Sequence, residues 1–229
     1  MTTDLPPAAR YEIKMAYELG LLPELHSWIH SHPAGFGITY PPRQVNSVYM
    51  DTPDLNSLHD HLSGIPLRRK LRFRWYGEDL TKAQGTTEVK NKSERVGWKI
   101  TQSVDCEFDL AGMSWDEIMN GLRTNTTGLI YEMLCVARPV VLTVYFREYY
   151  VSGDGLVRLT LDTDLRAYDQ LMSARPNIWF PQPLEQPVIV ELKSDTENAT
   201  SISDILSHFP IRANRYSKYM TNLSMSLIR

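Results

Sequence analysis

The chain has 229 residues, 42% hydrophobic and 22% charged, an ordinary globular balance that excludes a fibrous or largely disordered polypeptide. Its two cysteines, Cys106 and Cys135, are too few for a disulfide scaffold and stand at no metal-ligand spacing with histidine. The net charge of −3 argues against general nucleic-acid binding, yet residues 66–99 hold ten Lys and Arg against four acids, which leaves −9 for the rest and suits a single polyanionic ligand.

No internal repeat or Gly/Ser linker divides the chain, so it reads as one domain over residues 1–229, with 1–9 as a flexible N-terminal segment. The start lacks the basic patch and apolar run of a signal peptide, and no apolar stretch is long enough to span a bilayer. These features predict a cytoplasmic protein without a transmembrane segment of its own, any membrane partner being a separate chain.

In chain order, alternation predicts a strand over 10–15, followed by a helix over 18–31 whose apolar stripe is Leu19, Leu22, Leu25 and Ile29. A strand over 44–51, a helix over 55–62 and strands over 67–76, 85–92 and 98–109 come next. Helical patterns then fit 115–121 and 128–136, strands fit 140–150, 156–163 and 187–193, and helices fit 201–207 and 217–226. Ser152-Gly153-Asp154-Gly155 between two alternating runs is a hairpin signal, which makes the flanking strands antiparallel.

The polar faces of these strands share a chemical theme. Lys70, Arg72 and Arg74 fall on one face of their strand, with Leu71, Phe73 and Trp75 on the other. Val157, Leu159 and Leu161 oppose Arg158, Thr160 and Asp162, while Val188, Val190 and Leu192 oppose Glu191 and Lys193. Glu12 shares a face with Lys14, Glu88 with Lys90 and Lys92, and Tyr145 with Arg147. For any single strand, a solvated face on a sheet packed against helices accounts for the pattern. Three like charges at i, i+2 and i+4 repel unless an anion lies between them, however. Closing the strands into a barrel would aim all the charged faces at one lumen and leave the apolar faces to the helices. Such a lumen suits a polyphosphate, and carboxylates among the cations suit a hard divalent ion such as Mg²⁺ or Mn²⁺.

Seven short motifs then carry a family resemblance: Arg10-Tyr11-Glu12-Ile13-Lys14, Asn46 to Thr52, Lys70 to Tyr76, Glu88-Val89-Lys90, Arg158 to Asp162, Glu191-Leu192-Lys193 and Ser217-Lys218-Tyr219. In this order they resemble VTC domains, the catalytic domains of the vacuolar transporter chaperone complex and members of the triphosphate tunnel metalloenzyme superfamily. The resemblance covers residues 10–220. It implies a β-dominated α+β fold, an eight-stranded antiparallel β-barrel tunnel with helices packed outside and at the mouth. It also implies an ATP-dependent polyphosphate polymerase that uses Mn²⁺ or Mg²⁺, with nucleoside triphosphate and inorganic polyphosphate, tripolyphosphate or phosphate as ligands and no nucleic-acid partner. By position in the motifs, Lys14, Arg72, Arg74, Lys90, Lys99, Arg147, Arg158, Lys193 and Lys218 would bind phosphate, with hydroxyls from Tyr145 and Ser217. Arg72, Arg74, Lys90, Arg147, Arg158 and Glu191 would carry the chemistry. Glu191 would hold the metal, with Glu12 and Glu88 as helpers. The wider superfamily often opens on paired glutamates where this chain has Arg10 and Glu12, a departure that favours the VTC branch over the triphosphatase branch. A tripolyphosphatase or nucleoside triphosphatase on the same lining, and a polyphosphate-binding module without turnover, are the alternatives; the retained Glu191 counts against the module.

Other residues have plainer readings. His26, His30 and His32 read as surface histidines, and His59 and His61 are similarly short of metal-ligand company. Neither a Walker loop nor a Gly-rich dinucleotide fingerprint is present. Asn91-Lys92-Ser93, Asn125-Thr126-Thr127, Asn198-Ala199-Thr200 and Asn222-Leu223-Ser224 are chance glycosylation matches in a chain without a signal peptide. Trp28, Trp98, Trp115 and Trp179 read as core or barrel-wall aromatics, and Lys82, Arg123 and Arg175 as solvated surface.

Overall fold

The computed structural model describes residues 9–94 and 96–208. The helix expected over 217–226, and the flexible segment expected over 1–9 save for its last residue, lie outside them. Among the described residues there are ten strands: β1 (Arg10–Tyr17), β2 (Gly37–Asp51), β3 (Leu67–Tyr76), β4 (Lys82–Ala83), β5 (Gly85–Ser93), β6 (Val96–Ser103), β7 (Phe108–Asp109), β8 (Arg138–Val151), β9 (Val157–Asp169) and β10 (Val188–Asp195). The helices are α1 (Leu22–Ser31), α2 (Asn56–Leu62), α3 (Trp115–Thr124), α4 (Gly128–Val136) and α5 (Ala199–Ser207).

Eight strands close into a barrel in the order β1-β10-β9-β8-β2-β3-β5-β6, and every neighbouring pair is antiparallel, including the closing pair of β1 and β6. The expected β-dominated tunnel is therefore the observed architecture. The predicted hairpin joins β8 to β9: Asp154 Oδ1 accepts from Ser152 Oγ at 2.5 Å and from Leu156 N at 3.0 Å, and Gly155 supplies the positive φ of 75° that the turn needs.

Alternation puts the two larger apolar cores outside the barrel wall. Leu71, Phe73, Trp75 and Val89 pack under α3 and α4, where Trp115, Ile118, Met119 and Leu122 form a buried stripe at helical spacing. Ser114 starts α3 with a reciprocal cap: its Oγ accepts from Glu117 N, and its N donates to Glu117 Oε2 at 2.7 Å. On another part of the wall Met15, Leu159, Leu161, Val188, Val190 and Leu192 pack beneath Leu25 and Ile29 of α1 and Ile202 and Ile205 of α5. The ends of the charged strands are covered on one side by α2, whose Leu58 packs with Leu55, Tyr49, Val141 and Ala167.

The structure corrects several local expectations. The strand expected over 98–109 leaves the barrel at Ser103. Beyond it, Phe108 is buried in the outer core and β7 pairs with β4 instead. The strand expected from 44 begins at Gly37, because residues 37–43 pair with β8 alone, which leaves an open edge where Pro41 and Pro42 cost no ladder hydrogen bond. The helix expected from 18 starts with a 3₁₀ turn, Leu19–Leu21, and Leu19 of the stripe is half exposed. His32, expected at the surface, is buried beside Phe36, and Trp179, expected in the core or wall, is 65% exposed.

Candidate functional site

Among the described residues, those facing the lumen from β1, β2, β3, β5, β8 and β10 enclose a cavity of about 140 Å³ lined by nine Lys and Arg and two Glu. Pairing register explains the convergence. Lys14 lies opposite Glu191, Glu12 opposite Lys193, Arg72 opposite both Tyr49 and Glu88, and Arg74 opposite Ser47, so each shares a face with its partner.

Most of these charges are paired with one another. Glu88 takes Arg72 on Oε2, at 2.7 Å from Nε and 2.5 Å from Nη2, and Lys99 on Oε1 at 2.9 Å. Glu12 accepts from Lys90 at 2.7 and 3.0 Å. Glu191 Oε1 lies 3.0 Å from Lys14 Nζ, and its Oε2 lies 3.1 Å from Lys193 and 3.7 Å from Arg147. The Arg147 guanidinium is fixed by Asp162 through two parallel bonds of 2.5 and 2.8 Å, the bidentate geometry an arginine fork prefers. Arg74 differs: its hydrogen bonds go to neutral hydroxyls, Ser47 Oγ and Tyr145 OH, both at 3.2 Å.

Packing so many cations into a buried space shows in their acidities. Burial, reinforced by Lys14 and other neighbouring cations, pushes Lys70 and Lys90 down to about 7, and the carboxylates of Glu12 and Glu191 offset this only in part for Lys90. Burial also lowers Lys92. For Lys14 burial pulls the same way, but Glu191 and Glu12 outweigh it and hold the ammonium above its usual range. Burial opposes the charge of Glu191 too, and Lys14, Lys193, Lys90 and Arg147 overcome it, keeping the carboxyl well below the carboxylate range. Glu88 is held down in the same way by Arg72, Arg74 and Lys99.

Of the residues expected from the motifs, Lys14, Arg72, Arg74, Lys90, Tyr145, Arg147, Lys193, Glu12 and Glu191 line the one cavity. Glu88 and Lys99 join through their ion pairs with Arg72 and with each other. Arg158 stands apart, exposed and opposite Lys193 at the β8–β9 end of the barrel. Ser217 and Lys218 lie outside the described residues. Sequence reasoning put Lys70 and Lys92 on lumen faces without assigning them to phosphate, and it missed Tyr49, His61 and Arg68 as lining residues and Asp162 as the anchor of Arg147. Arg68 was readable from the same i, i+2 alternation as Lys70 and Arg72. His61 was not, because it reaches the cavity from α2 and only the tertiary placement of that helix brings it there. Burial, reinforced by Lys70, Arg68 and Lys92 around it, lowers its pKa to about 4.

A closed eight-stranded antiparallel barrel with an ionic lumen and its larger cores outside the wall is the architecture expected of a triphosphate tunnel. Within that class the chain belongs to the VTC domain family, whose family model matches residues 9–227. Among solved structures, a Hippeastrum protein described as an adenylyl cyclase with a dominant triphosphatase activity is 12% identical, over 94% of this chain and 95% of its own, with a TM-score of 0.50. A Vibrio parahaemolyticus protein assigned as an adenylate cyclase is 11% identical over 92% and 97% of the two chains, TM-score 0.49. A chain of the Schizosaccharomyces pombe Mediator head module is 10% identical over 88% and 96%, TM-score 0.48. At 12% identity the first likeness is one of fold. Among the described residues no helix is long and apolar enough to cross a membrane.

Proposed function

We propose that this chain is an ATP-dependent polyphosphate polymerase, which passes the terminal phosphoryl group of a nucleoside triphosphate to a growing inorganic polyphosphate chain within the tunnel. The observation that carries the reading is the lumen itself: nine cations from several strands converge on one enclosed space, against two carboxylates in its lining. VTC family membership supports it. Phosphoryl transfer needs charge neutralisation and alignment more than a covalent nucleophile, which is the chemistry such a lining offers.

In this reading Arg72, Arg74, Arg147, Lys14 and Lys90 hold the phosphates and compensate the charge that builds on the transferring group, with Tyr145 adding a hydroxyl. Arg158, Lys193 and Lys99 extend the same grip toward the margins, and Ser217 and Lys218 belong to the set by motif. Asp162 and Glu88 are positioning groups, fixing the guanidinium planes of Arg147 and Arg72.

The donor set is compatible with a divalent cation. Glu12 Oε1 and Glu191 Oε2 converge on the Lys193 ammonium, at 3.9 and 3.1 Å, so two hard oxygens already flank a positive charge. Among the described residues no three acidic, His or Cys side chains form a metal cage. The two carboxylates suit ions such as Mg²⁺, which use one or two carboxylates together with substrate oxygens and water. Glu191 and Glu12 would hold Mn²⁺ or Mg²⁺, with Glu88 as a further carboxylate if it released Arg72 or Lys99. When bound, such an ion would supply positive charge to offset that of the phosphates.

Hydrolysis of tripolyphosphate or nucleoside triphosphate is the second reading, since water could replace the chain end as acceptor on the same lining, and the Hippeastrum neighbour is described by its triphosphatase activity. Incubating the purified chain with ATP and Mn²⁺ and resolving the products separates the two. A polymerase yields a ladder of long chains; stoichiometric orthophosphate without chains would overturn the polymerase reading.

A further inference from the structure

At the end of the barrel marked by the β8–β9 hairpin, four lumen-facing side chains just beyond the phosphate-holding cations form a compact aromatic group. The Arg43 guanidinium lies 3.9 Å from the ring centroid of Tyr76 and 5.1 Å from that of Tyr149, and Arg43 Nε donates to Tyr149 OH at 3.1 Å. Tyr40 meets Tyr149 edge to face at 5.7 Å. The group is open: Tyr40 is 57% exposed and Tyr76 47%.

Register ties this group to the tunnel. Arg43 lies directly opposite Arg147, and Tyr40 opposite Tyr149. Tyr76 and Tyr149 each stand two residues beyond a cavity-lining cation, Arg74 and Arg147, and so on the same face, about 6.8 Å further along the strand. Tyr40 and Arg43 are three residues apart and would face opposite sides of a regular strand. The irregularity between them, at Pro41-Pro42, brings both onto the lumen face. Bulges beside binding sites commonly re-aim side chains in this way.

We propose that this group is the platform for the base of the nucleoside triphosphate, which enters from the hairpin end with its phosphates pointing inward to Arg74 and Arg147. The proposal deepens the reading of the lumen as a triphosphate site and rests on it. Exposed tyrosine rings with a stacked guanidinium are the surfaces on which proteins lay unpaired bases. The charge of Arg43 disfavours a cationic ligand, whereas the lumen cations one step inward favour a planar group attached to a polyanion. The single pleat repeat between ring and cation leaves room for a ribose. With no carboxylate in the group, stacking dominates over hydrogen-bond readout, so ATP and GTP should bind alike and CTP and UTP more weakly.

The test is calorimetric affinity for ATP and for tripolyphosphate, with metal omitted, in wild type, Tyr76→Ala, Tyr40→Ala and Tyr76→Trp, each checked for folding by a thermal melt. The alanine variants should weaken ATP about tenfold or more while leaving tripolyphosphate within about twofold, and Tyr76→Trp should keep ATP affinity. On the wild type, saturating the tyrosine ring protons should transfer most strongly to the adenine protons of bound ATP. Unchanged ATP affinity in the alanine variants, equal losses for both ligands, or transfer confined to the ribose would overturn the platform while leaving the tunnel reading intact. A wild-type protein that binds no tripolyphosphate brings down both.

Discussion

Glu191 meets three cations with two oxygens, and its neighbours Lys14, Lys193 and Arg147 are all assigned here to phosphate. Glu191→Gln keeps the volume and removes the anion. Metal-free tripolyphosphate affinity should hold or rise, because a competing carboxylate is gone, whereas product formation from ATP with Mn²⁺ should fall by about two orders of magnitude or more. Normal turnover in this variant would refute the metal assignment. Arg74 is the contrasting case, held by two hydroxyls, so a phosphate that reaches it has no carboxylate to dislodge there. Arg74→Ala should therefore weaken tripolyphosphate binding and turnover together, which paired calorimetry and product assays would reveal. The contrast also marks how far single residues could be read from sequence. Lys70, Arg72 and Arg74 announced themselves because three like charges on one strand face need an explanation. Asp162 was visible only as one member of an alternating face, since its task depends on Arg147 in the neighbouring strand.

At the scale of elements, the strands were legible because two periodicities coincide in them: apolar residues on one face and ions on the other. Where one periodicity lapses, the boundaries drift. Residues 37–43 carry no alternation and two prolines, and their strand was unread; residues 104–107 interrupt a strand that sequence extended to 109. Gly85 tests the closeness of the wall. A Cβ there would lie 1.9 Å from the Arg74 carbonyl oxygen, so the start of β5 runs against β3 where only glycine fits. Gly85→Ala should lower stability by on the order of 1–3 kcal/mol, as overpacking does, and should disturb Arg74. A denaturation midpoint unchanged from wild type would show that the wall can give. The cap of α3 is a milder case: Ser114→Ala should cost about 1 kcal/mol, seen in the same melts, with ligand affinity unchanged because the helix lies outside the barrel.

For the molecule as a whole, the fold places its larger apolar cores outside the wall and its repulsion inside. Tripolyphosphate at 100 times its dissociation constant should add about 2.7 kcal/mol of stability, measurable as a rise in melting temperature; a flat titration would count against the site. The pH dependence follows from Lys70 and Lys90, held near 7 in the folded protein against an ordinary value of 10.5. Between those values the unfolded chain binds more protons, so the empty protein should gain stability as pH rises from 7 toward 9. Triphosphate favours the charged ammoniums, so binding should take up protons and weaken over the same interval. Calorimetry in buffers of different ionisation enthalpy would show this, and proton release on binding would contradict it.

The ion pairs of the lumen have one more consequence. Much of the positive charge in the tunnel already has a partner tethered to the wall: Glu12 for Lys90, Glu88 for Arg72 and Lys99, Asp162 for Arg147, Glu191 for Lys14. The barrel is thus an ion exchanger loaded with its own fixed counter-ions, and a guest binds by swapping places with several of them at once. Orthophosphate would replace only one or two, pyrophosphate a few more, and a triphosphate would engage enough sites together to win. Selectivity for chain length then arises from valence, without a steric gate, and affinity should climb steeply from one phosphate to three.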